Sequence, residues 1–304
     1  MHSLETSLAS VGLRTPIIGA CGTVGSVVEM AGVADLGLYG AMVAKSVSLE
    51  PWTGRPAPRI APAGTGMLNG IGIQNPGVAT WAGTVGPQIS GLNVPVWGSA
   101  VGGSPAEFAA VASGLVGAGV AAVELNLSCP NLKYGSIFAL DPVASAAVVA
   151  GARSAVSVPL GAKLSPDSEN ICAVVDAVMT AGADWVVLGN TVRGFGIDIA
   201  TRRPLLTGGI GGYSGPPIKP IVLRGVFEAA QAFPDVPIVG CGGVSTAEDV
   251  IEFMLAGASA VAVGTAHFAR PRIATALVKG IERYLKKHRI ESISELIGGV
   301  QPWP

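Results

Sequence analysis

Pro237-Ile238-Val239-Gly240-Cys241-Gly242-Gly243-Val244-Ser245-Thr246-Ala247-Glu248 is the stretch on which the fold turns. An apolar run opens it, a glycine pair breaks the run, and Ser245-Thr246-Ala247-Glu248 has the form of a helix-capping box. A strand that reads as a continuous apolar run is one buried on both faces, as in a parallel sheet covered by helices. The next apolar run, Ala260-Val261-Ala262-Val263, ends on Gly264-Thr265, so the stretch is a strand–turn–helix–strand unit.

The same unit recurs outward from there. Apolar runs at 17–20, 42–47, 94–100, 122–126, 160–164, 185–190, 238–240 and 260–264 predict eight core strands, each followed by a helix-length segment. Ser104-Pro105-Ala106-Glu107 predicts another capped helix start, with proline at the first helical position. Eight repeats without a break in composition predict one α/β domain over residues 1–304, a (β/α)8 TIM barrel rather than an open doubly wound sheet. No GxGxxG follows any predicted strand, which argues against a dinucleotide-binding Rossmann domain. Two connections are long and rich in Pro and Gly, residues 49–91 and 193–217. Both follow strand C-termini, the end at which barrels carry their active sites.

Composition narrows the function classes. The chain has 304 residues, 49% hydrophobic and 5% aromatic, so its core is built mainly from small aliphatic side chains. The net charge of −1, with pI near 6.3, gives no basic face for nucleic acid or an anionic membrane. Cys21, Cys129, Cys172 and Cys241 are scattered without a CxxC, which predicts no disulfide framework, metal site or iron–sulfur cradle and fits a reduced cytoplasm. Residues 1–15 lack a signal-peptide pattern. Residues 108–123 are apolar, but Glu107 and Glu124 bracket them and their glycines predict helix, turn and strand rather than a membrane span.

Chemistry-bearing residues collect at the strand ends. Gly242-Gly243 and Gly264-Thr265 follow strands seven and eight, where barrels commonly bind phosphate on free backbone amides. Lys163 and Lys45 stand near the ends of apolar strands, either as structural ion-pair partners or as cations for an anionic ligand. Asn69, Asn126, Asn131 and Asn190 fall in turns or strand ends. Asparagine favours turns for local reasons, and a group of side-chain amides also suits a ring with alternating N–H and C=O groups. Cys172 and Cys241 read as small buried hydrophobes. Cys129 differs, lying in a polar loop between Ser128 and Pro130, where a thiol acting as a base is plausible chemistry. None of His2, His267 and His288 stands in an obvious base position. These residues describe a barrel enzyme with a phosphorylated cofactor or substrate and a thiol base; they leave the substrate open.

The chain resembles the dihydroorotate dehydrogenase family nearly end to end, and three motifs carry the resemblance. Asn126-Leu127-Ser128-Cys129-Pro130-Asn131 is similar to its active-site loop, and Gly66-Met67-Leu68-Asn69-Gly70-Ile71-Gly72-Ile73-Gln74-Asn75-Pro76-Gly77 to its substrate loop. Ile197-Asp198-Ile199-Ala200-Thr201-Arg202-Arg203-Pro204 with Gly211-Gly212-Tyr213-Ser214-Gly215-Pro216 is similar to the segment after strand six. The resemblance implies FMN across the barrel mouth, its phosphate on Gly242, Gly243, Gly264 and Thr265. Lys163 would face the flavin pyrimidine edge, with Cys21, Lys45, Ser46, Ser99, Asn126, Gly189 and Gly215 also toward the cofactor. Dihydroorotate would be held by Lys45, Asn69, Asn126, Asn131, Asn190 and Thr191, its carboxylate by the backbone of Gly70, Ile71, Gly72 and Ile73. Cys129 would take the C5 proton while hydride leaves C6, giving orotate for pyrimidine biosynthesis.

The substrate-loop wording is more like class 1B than class 1A. It implies a homodimer core flanked by separate subunits that carry FAD and a [2Fe–2S] cluster and pass electrons to NAD, an expected heterotetramer. Cys21 stands where the family usually has serine, and Ser99 where asparagine is common. The competing readings are a fumarate-linked class 1A homodimer, a dihydropyrimidine dehydrogenase-like enzyme that needs no carboxylate site, and a flavin-binding barrel without turnover.

Overall fold

The computed structural model describes residues 2–128, 137–301 and 303. Eight strands close a barrel: β1 (Ile17–Gly19), β2 (Ala41–Val43), β3 (Val96–Ala100), β4 (Ala122–Asn126), β5 (Leu160–Leu164), β6 (Trp185–Leu188), β7 (Ile238–Gly240) and β8 (Ala260–Val263). Each pairs in parallel with its sequence neighbour, and β8 closes onto β1 with Val261 opposite Ile17. All eight runs read from the sequence are therefore barrel strands.

The covering layer is made of α1 (Val78–Thr84), α2 (Pro105–Gly117), α3 (Pro142–Ala155), α4 (Ile171–Thr180), α5 (Lys219–Ala232), α6 (Ala247–Leu255), α7 (Ala266–Ala269) and α8 (Ile273–His288). Residues 108–123 are thus the body of α2, a turn and the start of β4, as their glycines predict. Among the described residues no helix is long and apolar enough to cross a membrane.

Three expectations are corrected. The connection after β1 has no α-helix, only 3-10 turns at Val28–Met30 and Leu36–Leu38, because Gly22, Gly25 and Val27 adopt positive φ. The helix after β7 starts one residue later than the Ser245 box implies. Thr246 is its cap, accepting from Asp249 N–H, and Asp249 closes the box. At α2, Ser104 does cap Glu107 N–H, but the Glu107 carboxylate accepts from Gly103 N–H rather than closing a box.

The two long connections join into one layer above the barrel. Ile60–Ala63, Gly66–Asn69, Gly211–Ser214 and Val192–Gly194 form a four-stranded antiparallel sheet, with Asn69 opposite Gly212. Pro62 falls on an edge strand, where its missing N–H leaves no ladder bond unmade. At the other end, the hairpin of Thr6–Leu8 and Val11–Leu13 plugs the barrel. Leu8 and Leu13 join Ile18, Val43, Trp97, Trp185, Val187 and Val239 in the interior cluster.

Trp97 and Trp185 fill the lower barrel with ring centroids 5.0 Å apart. That bulk is admitted by Gly161 on β5, where a Cβ would lie 2.4 Å from Trp185 Nε1. Gly161→Ala therefore forces a buried indole to move, and we expect a loss of about 1–3 kcal/mol in urea unfolding, as for other overpacked cores.

Candidate active site

The C-terminal ends of the strands open into a cavity of about 590 Å³. Its wall contains Cys21, Lys45, Ser46, Asn69, Ile71, Gly72, Ile73, Asn126, Lys163, Asn190, Thr191, Gly215, Gly242, Gly243, Gly264 and Thr265. The sequence-predicted residues thus converge on one place. Gly70, Ser99 and Gly189 lie off the wall. Ser99 is fully buried and reaches the cavity only through its hydroxyl contact with Ser46, 2.9 Å away. Cys129 and Asn131 lie outside the described residues.

At one side of the mouth β7 and β8 end in a group of free donors. The amides of Gly242, Gly243, Val244, Gly264, Thr265 and Ala266 have no protein acceptor among the described residues. A row of such N–H groups at turns and a helix start is an anion-binding concavity. Gly243 takes φ +78°, and a Cβ there would meet the Lys219 side chain at 2.8 Å, so the loop can pass only as glycine. The cradle is braced from behind. Asp249 accepts from the N–H groups of Ser245 and Thr246 at 2.8 Å and from Lys219 Nζ at 2.6 Å. Burial opposes its charge, but these donors hold its carboxyl below the usual carboxylate range. Just past the C-terminal end of β8, in α7, buried His267 is fixed by Tyr39 Oη at 2.9 Å from its Nε2 and by the Gly264 carbonyl at 3.1 Å from its Nδ1.

The opposite side is a hydrogen-bonded chain of short polar groups drawn from several strands. Asn126 Nδ2 donates to Ser46 Oγ at 3.1 Å, and Cys21 Sγ lies 3.2 Å from the same hydroxyl. Ser128 donates to Asn126 Oδ1 at 3.1 Å, and Asn190 Nδ2 donates to Ser128 Oγ at 2.6 Å. The asparagines are therefore held in one orientation each, which a turn-favouring role alone does not require. Ser128 is the link the sequence reading left without a task; its position two residues after Asn126, at a strand end, was the available signal.

Between the two sides lies Lys163, buried, with Glu124 Oε1 3.9 Å from its Nζ. Burial disfavours its charge, but Cys241, Glu124 and Cys21 around it prevail and hold it above the ordinary lysine value. Cys241 is buried as the sequence reading holds, yet it also borders the cavity; Cys172 is only partly buried.

Facing this floor, the turn after Asn69 presents more free donors. Gly72 and Ile73 have φ of +73° and +54°, and the amides of Ile71, Gly72 and Ile73 have no protein acceptor among the described residues. Positive φ is unusual for a β-branched residue such as Ile73 and occurs where surrounding structure enforces it. The Gly70 amide is already bonded to Arg59 O at 2.7 Å, so it is not available with them.

Free amides, a buried cation and oriented side-chain amides at the C-terminal mouth of a (β/α)8 barrel have the form of an enzyme site suited to an anionic ligand. The family model for dihydroorotate dehydrogenase matches residues 3–285, and the chain belongs to the dihydroorotate dehydrogenase family. Among curated proteins it is 40% identical over 299 residues to the dihydroorotate dehydrogenase B (NAD(+)) catalytic subunit of Alkaliphilus metalliredigens, covering 98% of this chain and 99% of that one. It is 43% identical over 300 residues to the subunit of the same name from Geotalea daltonii, covering 98% of each. A DHODH from Eimeria tenella, solved with ferulenol, shares the fold at TM-score 0.81 with 19% identity over 97% of this chain and 88% of that one. The family implies a flavin cofactor, and the residues fit one: free amides for an anionic tail at β7 and β8, and a cation for the ring system at β5.

Burial pushes the His267 pKa down from 6.5 to about 4. The unfolded chain then binds the extra proton between those values, so this contribution to stability is complete above pH 6.5 and fades as pH falls toward 4. We expect the wild-type unfolding free energy to drop across that window, and His267→Asn to be less stable at pH 7 with a shallower acid limb.

Proposed function

We propose that this chain oxidises dihydroorotate to orotate as the FMN-binding catalytic subunit of an NAD-linked enzyme of pyrimidine biosynthesis, working in the cytoplasm. The observation that carries the reading is the meeting, in one cavity, of the free-amide cradle at β7 and β8, Lys163 on the floor, and the Ile71–Gly72–Ile73 amide turn across from them. Bound FMN would supply hydride acceptance. The protein's part is to hold, orient and move a proton.

Gly242, Gly243, Gly264 and Thr265 would hold the cofactor phosphate, and Lys163 would offset negative charge at the ring. The amides of Ile71, Gly72 and Ile73 form a nest for a carboxylate, which favours dihydroorotate over an uncarboxylated dihydropyrimidine. Asn69, Asn126, Asn190 and Thr191 would pair with the alternating donors and acceptors of the substrate ring, with Lys45 beside them. Asn126 and Asn190 are already set by Ser46 and Ser128. Cys129 follows this chain of hydroxyls and amides directly in sequence, and we assign it the C5 proton; Asn131 would join the substrate contacts.

The electrons would leave through a partner subunit carrying FAD and a [2Fe–2S] cluster, in a heterotetramer around a dimer of this chain. Phe195, Ile197 and Ile199 are exposed together on the segment after β6, the kind of apolar patch that subunit contacts cover.

Anaerobic mixing of the flavin-loaded chain with dihydroorotate should bleach the flavin absorbance, and Cys129→Ala should slow bleaching by about 10²–10⁴, the range for loss of a general base. Bleaching by dihydrouracil and not by dihydroorotate would reject the assignment.

A further inference from the structure

Buried polar groups enter the barrel strands towards their C-terminal ends, where Ser99, Glu124, Asn126 and Lys163 stand. Glu124 stands on β4 two residues below Asn126, with Ser99 of β3 and Gly161 of β5 as its partners in register. Its side chain is 3% exposed, its Oε1 has no hydrogen-bond partner among the described residues, and its one described ion pair is the 3.9 Å approach to Lys163 Nζ. The indole N–H groups of Trp97 and Trp185 in the same interior also have no partner among the described residues. A carboxylate in such surroundings is a net cost to folding unless a charge compensates it. Burial raises the Glu124 carboxyl above the usual carboxylate range, and Lys163 offsets only part of that rise. A leucine would fill the space without that cost, so the charge itself needs a reason.

The reason lies in what the carboxylate faces. Lys163 is enclosed by Glu124 of β4, Cys241 just beyond β7 and Cys21 beyond β1. Burial raises the Cys241 thiol above its ordinary value, so near neutral pH it is an uncharged neighbour and helps hold the lysine up only in the alkaline range where thiols ionise. That leaves Glu124, 3.9 Å away, as the one carboxyl among the described residues within ion-pair range of a desolvated ammonium at the cavity floor. We propose that Glu124 is a positioning residue: acting through Lys163, its carboxylate keeps the ammonium charged and fixed at the floor, and balances that charge when no anion occupies the cavity. The inference rests on the flavin reading for the ligand that Lys163 meets, but the Glu124–Lys163 coupling itself exists in the chain alone.

Trace acetylation of the purified, flavin-free chain across pH reads that coupling, with the Lys163 peptide quantified by mass spectrometry and Lys45 as the reference for reagent. In the wild type Lys163 should label only at high pH. In Glu124→Gln its onset should fall by at least one pH unit, a tenfold gain in label at a fixed pH below the onset, and Glu124→Asp should recover most of the wild-type profile. An unchanged onset in Glu124→Gln overturns the proposal.

On flavin-loaded protein, dye equilibration gives the midpoint potential without dihydroorotate. Glu124→Gln should be more negative at pH 7, since the ammonium that offsets negative charge on the reduced ring is then less fully charged and less firmly placed, and Glu124→Gln/Lys163→Gln should match Lys163→Gln. A Glu124 effect that survives loss of the lysine rejects the route through Lys163. If Glu124→Gln does not fold, recovery of folding in the double variant supports an uncompensated ammonium as the cause, and failure of both variants assigns Glu124 a purely structural part. A chain that takes up no flavin speaks against the proposed function, while the labelling profile still decides this inference.

Discussion

Because all eight barrel strands run the same way, their C-terminal ends meet on a single rim, and the backbone groups beyond the last ladder bonds have no neighbour strand to bond to. That constraint organises the molecule. At β7 and β8 the leftover N–H groups have no acceptor among the described residues and converge; at β2, β4 and β6 the rim is finished by side chains, with Ser46, Asn126, Ser128 and Asn190 satisfying one another. The antiparallel sheet made from the two long connections roofs the same rim and brings Asn69 and the Ile71–Ile73 turn over it. Closing the barrel therefore creates both the donors and the concavity that the chemistry uses.

The rim was largely legible in the sequence, and the pairing across it was not. Apolar runs of Val, Ile and Ala report two-sided burial locally, which is why every barrel strand could be found. Gly242-Gly243 and Gly264-Thr265 report their turns just as locally. The top sheet joins Gly66–Asn69 to Gly211–Ser214, and no local pattern encodes a partner so distant in sequence. The cap at Thr246 rather than Ser245 was a one-residue ambiguity between adjacent hydroxyl residues. Ser128 and Glu124 were passed over because a serine beside a cysteine, and a single acid inside an apolar run, acquire meaning only from what the barrel curvature sets next to them. Gly70 was grouped with its neighbours although its amide was already committed to Arg59 O, a fact that only the fold reveals.

The interior shows a division of labour by height. Its lower half is filled by Trp97, Trp185 and the plug leucines, whose bulk excludes water from beneath the site. Its upper half carries Glu124 and Lys163, whose interaction is strengthened by that dry floor, since charges attract more strongly where the surroundings polarise little. The aromatic bulk and the ion pair are parts of one arrangement: the first supplies the medium in which the second acts.

The plug hairpin has a further consequence, for the order in which the chain can fold. Thr6 Oγ1 bonds to Ser259 O at the foot of β8, Ser3 bridges to Ser292, and His2 reaches the Ile290 carbonyl. The earliest residues of the barrel thus dock onto its latest. During synthesis from the N-terminal side the hairpin emerges without its seat and must wait for nearly the whole chain, so closure is governed by contacts of the greatest sequence separation, the slow regime of folding. Until then Leu8 and Leu13 lack their seat in the barrel interior and add apolar surface to an incompletely folded chain.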